Sequence, residues 1–187
     1  GSPGLKEFCE RERGRLRADL LNASDGPRVQ STRPTLFLGS RGLVNFTLSL
    51  KSRERAYHSG NWGGVLRNPA IVVAHAVASL TDARGRILVK DLLPPPLTEA
   101  MRVALSHIPV GGDADDPALD PRWGEPGLSP AEQLVGWNTL EVLALGAASV
   151  ERPVNAIPPA ATAHCQLRFV PGTRWQELQP IVRAYLD

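Results

Sequence analysis

A glycine-rich stretch at residues 57–64 contains side chains that could take part in chemistry. His58 and Trp62 lie there among three glycines, between a predicted strand and a predicted helix. Glycine permits backbone conformations and close approaches that other residues resist, so this stretch could present the imidazole of His58 at a surface with a geometry set by the backbone. The alternative is an ordinary turn that carries a solvent-exposed histidine.

A second candidate site pairs Asn155, which precedes an Ile-Pro dipeptide, with Arg168 in the segment LRFVPG at 167–172. A guanidinium on the polar face of a strand can bind a carboxylate through two parallel hydrogen bonds, which suits recognition of a free amino-acid terminus. Arginines at such positions are also common partners in surface ion pairs. Asp25, in the segment SDGP at 24–27, is by itself a turn residue.

No complete catalytic motif is present in the sequence. There is no His and carboxylate pair at metal-binding spacing, no nucleophile elbow and no phosphate-binding glycine loop before a helix. The two cysteines, Cys9 and Cys165, are far apart and lack the spacing of a metal site. Unpaired thiols are typical of reducing compartments, so we expect a cytoplasmic protein.

Charge and hydropathy exclude several classes of partner. The 21 Lys and Arg residues are scattered among 19 Asp and Glu, giving a net charge of +2 and no basic patch that would favour nucleic acid or an acidic membrane. No apolar run reaches the roughly 20 residues of a membrane span, and the chain does not start with a signal peptide. The predicted strands also lack the aromatic pair of an RNA-recognition sheet.

Hydrophobic periodicity predicts an α+β fold. Alternation is clearest from Leu43 to Lys51, and Asn68-Pro69 supplies an N-cap and a first helical residue. We expect a two-layer sandwich: a ferredoxin-like antiparallel sheet with helices on one face. Strands are predicted at 18–24, 43–51, 140–145 and 161–170, an extended piece at 87–91, and helices at 4–13, 69–80 and after 173. A long insertion at about 92–136, with a helical patch near Met101, is predicted to bury little apolar surface.

These pieces, in this order, resemble the zinc-dependent family that includes aminoacylase, carboxypeptidase G and the carnosinase-like dipeptidases. The resemblance implies that residues 35–187 are the family's dimerisation, or lid, domain and that residues 1–34 are a remnant of its catalytic α/β domain. The matching segments are GSRGL (39–43), HSG (58–60), GG (63–64), NP (68–69), NAIP (155–158) and LRFVPG (167–172).

The resemblance also implies roles for four residues. His58 would reach into the active site of the partner subunit of a homodimer and bind the scissile carbonyl and its developing oxyanion. A donor of this kind is worth on the order of 3 kcal/mol. Asn155 and Arg168 would clamp the backbone and carboxylate of the substrate. Asp25 would be one ligand in a two-zinc site, for which a carboxylate oxygen is a reasonable donor.

The sequence departs from the family pattern at its remaining metal ligands and general base, which are missing. Residues 1–3 resemble those that follow the family's catalytic Glu pair, so we expect native sequence from that point and no hydrolysis by these 187 residues alone. A dipeptide is the expected substrate of the whole enzyme, because residues 58–69 look closest to the carnosinase-like branch. An N-acyl amino acid substrate and a non-catalytic dimerisation module remain alternatives.

Overall fold

Five strands and six α-helices make up the computed structural model, which describes residues 3–20, 34–35 and 39–187. The strands are β1 (Gly42–Lys51), β2 (Tyr57–His58), β3 (Thr139–Gly146), β4 (Ala156–Ile157) and β5 (Ala160–Phe169). The helices are α1 (Leu5–Arg11), α2 (Ser59–Trp62), α3 (Pro69–Leu80), α4 (Glu99–Ser106), α5 (Pro130–Gly136) and α6 (Leu178–Leu186), with short 3₁₀ helices at Lys90–Leu92 and Trp175–Glu177.

The main sheet has the strand order β1-β5-β3, with both neighbours antiparallel to the central strand β5. Arg168 of β5 lies opposite Leu43 on one side and Thr139 on the other. Buried and more exposed residues alternate along β5 because successive side chains point to opposite faces of a sheet. The strands predicted at 140–145 and 161–170 are therefore confirmed, and they are antiparallel neighbours.

Helices α3 and α6 cover one face of this sheet. Their residues Val73, Leu80, Leu178 and Val182 form one core cluster with the buried positions of β5. Helix α3 begins as predicted, because Oδ1 of Asn68 accepts the N–H of the second helical residue at 3.0 Å. A three-stranded antiparallel sheet covered on one face by helices confirms the predicted α+β, two-layer arrangement.

The segment predicted as a long loop contains more structure than expected. Helix α5 starts with a capping box, in which the Ser129 hydroxyl accepts the N–H of Glu132 and the Glu132 carboxylate accepts the N–H of Ser129. Leu97, Leu105 and Ala131 form a second small core between α4 and α5. The prediction that this insertion buries little apolar surface is wrong, because its few apolar residues lie far apart in sequence and meet only in the fold.

Other predicted elements agree with the structure in part. Helix α1 matches the prediction for 4–13, and the C-terminal helix starts with a 3₁₀ turn before α6. Ile87 forms one bridge with Thr81, and a 3₁₀ helix follows where an extended piece was expected. Residues 18–20 are not in a strand, and the rest of the predicted strand 18–24 lies outside the described residues. Among the described helices, none is long and apolar enough to cross a membrane.

Candidate functional site

A two-stranded ribbon, β2 with β4, brings together two of the predicted site residues. His58 lies opposite Ala156, and the N–H of Ser59 donates to the backbone oxygen of Asn155 at 2.9 Å. Buried Ile157 anchors the ribbon to the domain. No strand is predicted from the sequence at residues 57–58 or 156–157, so the pairing of His58 with the Asn155 segment is a finding of the structure.

The imidazole of His58 is held by its own backbone. The N–H of Gly60 donates to Nδ1 of His58 at 3.1 Å, while the side chain as a whole is exposed. An Nδ1 that accepts a hydrogen bond places the proton of the neutral ring on Nε2. The ring therefore offers Nε2–H as a hydrogen-bond donor to a ligand.

Glycine at position 60 is required for this contact. A Cβ atom there would lie 2.9 Å from Cε1 of His58 and 3.1 Å from its Nδ1, both closer than ordinary packing allows. The rings of Tyr57 and Trp62 meet edge to face with centroids 6.1 Å apart, and the guanidinium of Arg55 lies 5.0 Å from the Tyr57 centroid. These contacts brace the turn that carries His58.

Arg168 lies at the opposite end of the central strand. Strand β5 begins at Ala160, next to the ribbon, and Arg168 lies eight residues further along. At roughly 3.3 Å per residue, the distance along the strand from Ala160 to Arg168 is about 26 Å. The half-buried Arg168 donates from Nε to Oε1 of Gln166 at 2.9 Å. The structure therefore brings His58 and Asn155 together, and within one protomer it places Arg168 far from both.

A second guanidinium near Arg168 was not assigned from the sequence. Nη1 of Arg41 donates to the backbone oxygen of Trp137 at 3.4 Å. Burial lowers the pKa of Arg41, the positive charge of Arg168 lowers it further, and the carboxylate of Glu141 opposes both. Arg41, Glu141 and Trp137 line a cavity of about 640 Å³. The lining also includes Arg86 and the carboxylates of Asp120 and Glu125. Arg41 and Arg168 therefore bring two positive charges to this end of the sheet, beside a cavity of mixed charge.

The described residues do not fit a metal site. Within residues 3–20, 34–35 and 39–187, no three His, Cys, Asp or Glu side chains lie close enough to hold a metal ion. Asp25, the predicted zinc ligand, lies outside the described residues. Both cysteines are free thiols, with Cys9 exposed and Cys165 buried in β5. What this domain can supply chemically is hydrogen-bond donors and positive charge.

The helix-covered sheet and its exposed ribbon define a peptidase dimerisation domain. Residues 38–187 match the family model of that description, and the chain belongs to this family. The human Beta-Ala-His dipeptidase is 34% identical over 103 residues, which cover 53% of this chain and 20% of the relative. The Cys-Gly metallodipeptidase DUG1 of Saccharomyces cerevisiae is 26% identical over 205 residues, which cover all of this chain and 40% of the relative.

A solved structure shows the same fold. The crystal structure of human carnosine dipeptidase 1 superimposes with a TM-score of 0.73 and 24% identity, over all of this chain and 41% of that one. The chain thus spans between about a fifth and two fifths of the length of the proteins it matches. These relatives are dipeptidases, and DUG1 is by its name a metallodipeptidase.

Proposed function

We propose that this chain is the dimerisation domain of a metal-dependent dipeptidase and that His58 acts in the active site of the partner protomer. The observation that carries the proposal is the hydrogen bond from Gly60 to Nδ1 of His58, on an exposed ribbon. Hydrolysis of an amide places negative charge on the carbonyl oxygen in the transition state. A fixed N–H aimed at that oxygen stabilises the charge by several kcal/mol, on the order of 3.

The proposed dimer contact is the outer edge of β3. This strand is an edge of the sheet among the described residues, and three of its apolar side chains, Val142, Leu143 and Leu145, are 40%, 58% and 51% exposed. An edge strand with exposed apolar residues is a ready template for pairing with another chain. A twofold axis at this edge pairs β3 with its own copy, so one patch serves both protomers.

That symmetry accounts for the separation of the site residues. A twofold axis perpendicular to the sheet makes the two copies of β5 antiparallel, so the Arg168 end of one protomer lies on the same side as the His58 ribbon of its partner. We infer that each active site takes Arg168 from one protomer, and His58 with Asn155 from the other. In this arrangement Arg168 binds the substrate carboxylate with help from the charge of Arg41, and Asn155 binds the substrate backbone.

The proposed substrate is a dipeptide with a free carboxyl terminus. Two observations support it: the two neighbouring guanidinium groups of Arg41 and Arg168, and the dipeptidases among the relatives. N-acyl amino acids share the same carboxylate and are the next class to test. We propose that the metal is zinc, held mainly by parts of the enzyme beyond this domain, with Asp25 as one ligand. These 187 residues by themselves are then expected to hydrolyse no dipeptide.

The test is His58→Ala in the full-length protein that contains this chain. Loss of an oxyanion donor is expected to lower kcat by about 10²-fold or more while the bound metal, measured by elemental analysis, stays unchanged. His75→Ala, which removes an exposed histidine of α3, is the matched control and should leave kcat as it is. An unchanged kcat in His58→Ala would give the ribbon a purely structural role.

A further inference from the structure

The face of the sheet that the helices leave open carries a chain of side-chain hydrogen bonds ending at Arg168. Nε of Arg168 donates to Oε1 of Gln166 at 2.9 Å, and Nε2 of Gln166 donates to Oδ1 of Asn45 at 2.9 Å. Gln166 and Asn45 are directly opposed in the register of β5 and β1, while Gln166 and Arg168 are two residues apart on one face of β5. The amide of Gln166 therefore links the guanidinium to the neighbouring strand.

This linkage constrains how Arg168 can bind a ligand. A guanidinium has five N–H groups in one plane, and the bond from Nε to Gln166 uses one of them. The four that remain are on Nη1 and Nη2, which form one of the forks that match a carboxylate through two parallel bonds. A free arginine side chain samples many rotamers, and the bond at Nε removes much of that freedom before a ligand arrives.

Arg168 lies near a second positive charge, that of Arg41. Two guanidinium groups repel each other at short range, and the effect of Arg168 on the pKa of Arg41 reflects this repulsion. Glu141, which lies opposite Gln166 in the pairing of β3 with β5, offsets part of this repulsion. The bond to Gln166 fixes where the Arg168 guanidinium lies among these charges.

We propose that Gln166 and Asn45 are positioning residues, which orient the Arg168 guanidinium for the carboxylate of the substrate. The inference rests on the proposed function, in which Arg168 binds that carboxylate. It assigns to two polar residues on the open face of the sheet a role beyond strand pairing. Gln166 acts directly on Arg168, and Asn45 acts through Gln166.

The same face provides a matched control. One rung along, the hydroxyl of Thr47 and Nδ1 of His164 are hydrogen bonded at 3.1 Å, again between β1 and β5 and again exposed. No bond among the described residues links this pair to Arg168. Thr47→Ala and Asn45→Ala therefore remove the same kind of cross-strand bond from the same strand, and they differ in whether the bond leads to Arg168.

The experiment measures kcat and KM of the full-length protein with β-Ala-His or Cys-Gly, whichever wild type hydrolyses faster. Gln166→Leu keeps the volume of the side chain and removes its acceptor. We expect KM to rise roughly tenfold with kcat changed little, as when a hydrogen bond to a charged group is lost. Asn45→Ala should shift KM in the same direction by a smaller factor, and Thr47→Ala should leave KM within about twofold of wild type.

A double-mutant cycle with Arg168→Ala separates the possible results. If Gln166 acts through Arg168, Gln166→Leu adds nothing to the KM of the Arg168→Ala protein. Two results would overturn the positioning role and leave the proposed function standing. In the first, the effects of the two substitutions on KM multiply in the double variant. In the second, Gln166→Leu has a normal KM while Arg168→Ala has a raised KM. A normal KM in Arg168→Ala, or a wild type that hydrolyses neither dipeptide, would overturn the proposed function itself.

Discussion

The N–H of Gly60 donates to Nδ1 of His58 at 3.1 Å, so the backbone two residues ahead fixes both the tautomer and the placement of the imidazole. The position of the Nε2 donor therefore depends on Gly60, a residue without a side chain. This contact is local in sequence, and the ribbon formed with residues near Asn155 then carries it to the surface of the domain.

The first prediction concerns Gly60→Ala. The added Cβ would lie 2.9 Å from Cε1 of His58, so the ring must shift by some tenths of an ångström. Because a misplacement of about 1 Å at a reacting group can cost on the order of 10²-fold in rate, we expect kcat of the full-length enzyme to fall by roughly tenfold with little change in melting temperature. Gly39→Ala, where no atom lies within 4 Å of the added Cβ, is the control. A Gly60→Ala enzyme with wild-type kcat would show that His58 needs no such placement.

The second prediction concerns the edge of β3. Leu143 lies at the register shift of this strand and is 58% exposed, so Leu143→Lys should place a charge in the proposed dimer contact and yield a monomer. Sedimentation equilibrium measures the mass directly. Val103→Lys on α4 is the matched control, because Val103 is similarly exposed at 53%, and it should remain dimeric. A dimeric Leu143→Lys protein would place the contact elsewhere on the domain.

The third prediction concerns pH and the capping box of α5. The pKa of Glu132 is lowered, first by the backbone N–H of Ser129 and also by the Ser129 hydroxyl and by Arg102, whose Nη1 lies 2.6 Å from the carboxylate. A carboxyl group whose pKa is lower in the folded state stabilises the fold above its unfolded pKa, and this stabilisation is lost as the pH falls through the folded pKa. The contribution is therefore complete at pH 7.

Thermal unfolding of Glu132→Gln and wild type from pH 7 to pH 3 tests this expectation. At pH 7 the variant should melt at a lower temperature, and the difference should shrink as acid protonates the wild-type carboxylate. Glu99→Gln replaces an exposed carboxylate in the first turn of α4 and serves as the control, with little change in melting temperature. A difference for Glu132→Gln that persists unchanged at pH 3 would mean that its charge does not stabilise α5.

Strong local patterns made part of this fold predictable. The alternation in β1 and the Asn68 cap of α3 are encoded within a few residues, and the structure has both. Helix α5 has an equally local signal, Ser129 followed three residues later by Glu132, but it was not predicted because it lies in a stretch rich in glycine and proline.

The geometry of the site depended on contacts distant in sequence. Strands of two residues, such as β2 and β4, have no detectable periodicity, and their pairing joins residues about a hundred positions apart. The approach of Arg41 to Arg168 likewise arises only when β1 pairs with β5. The separation of Arg168 from His58 follows from the length of β5 and from the pairing of β2 with β4 next to its start.

The most direct test of the account is complementation between two inactive variants. Full-length His58→Ala and Arg168→Ala proteins, given different affinity tags and co-expressed, are purified as the heterodimer. If each active site takes Arg168 from one protomer and His58 from the other, one of the two sites in this heterodimer is intact. We predict about half of the wild-type kcat/KM per dimer, with kcat/KM of both homodimers far lower. A heterodimer no more active than the homodimers would contradict the account, because each active site would then take both His58 and Arg168 from one and the same protomer.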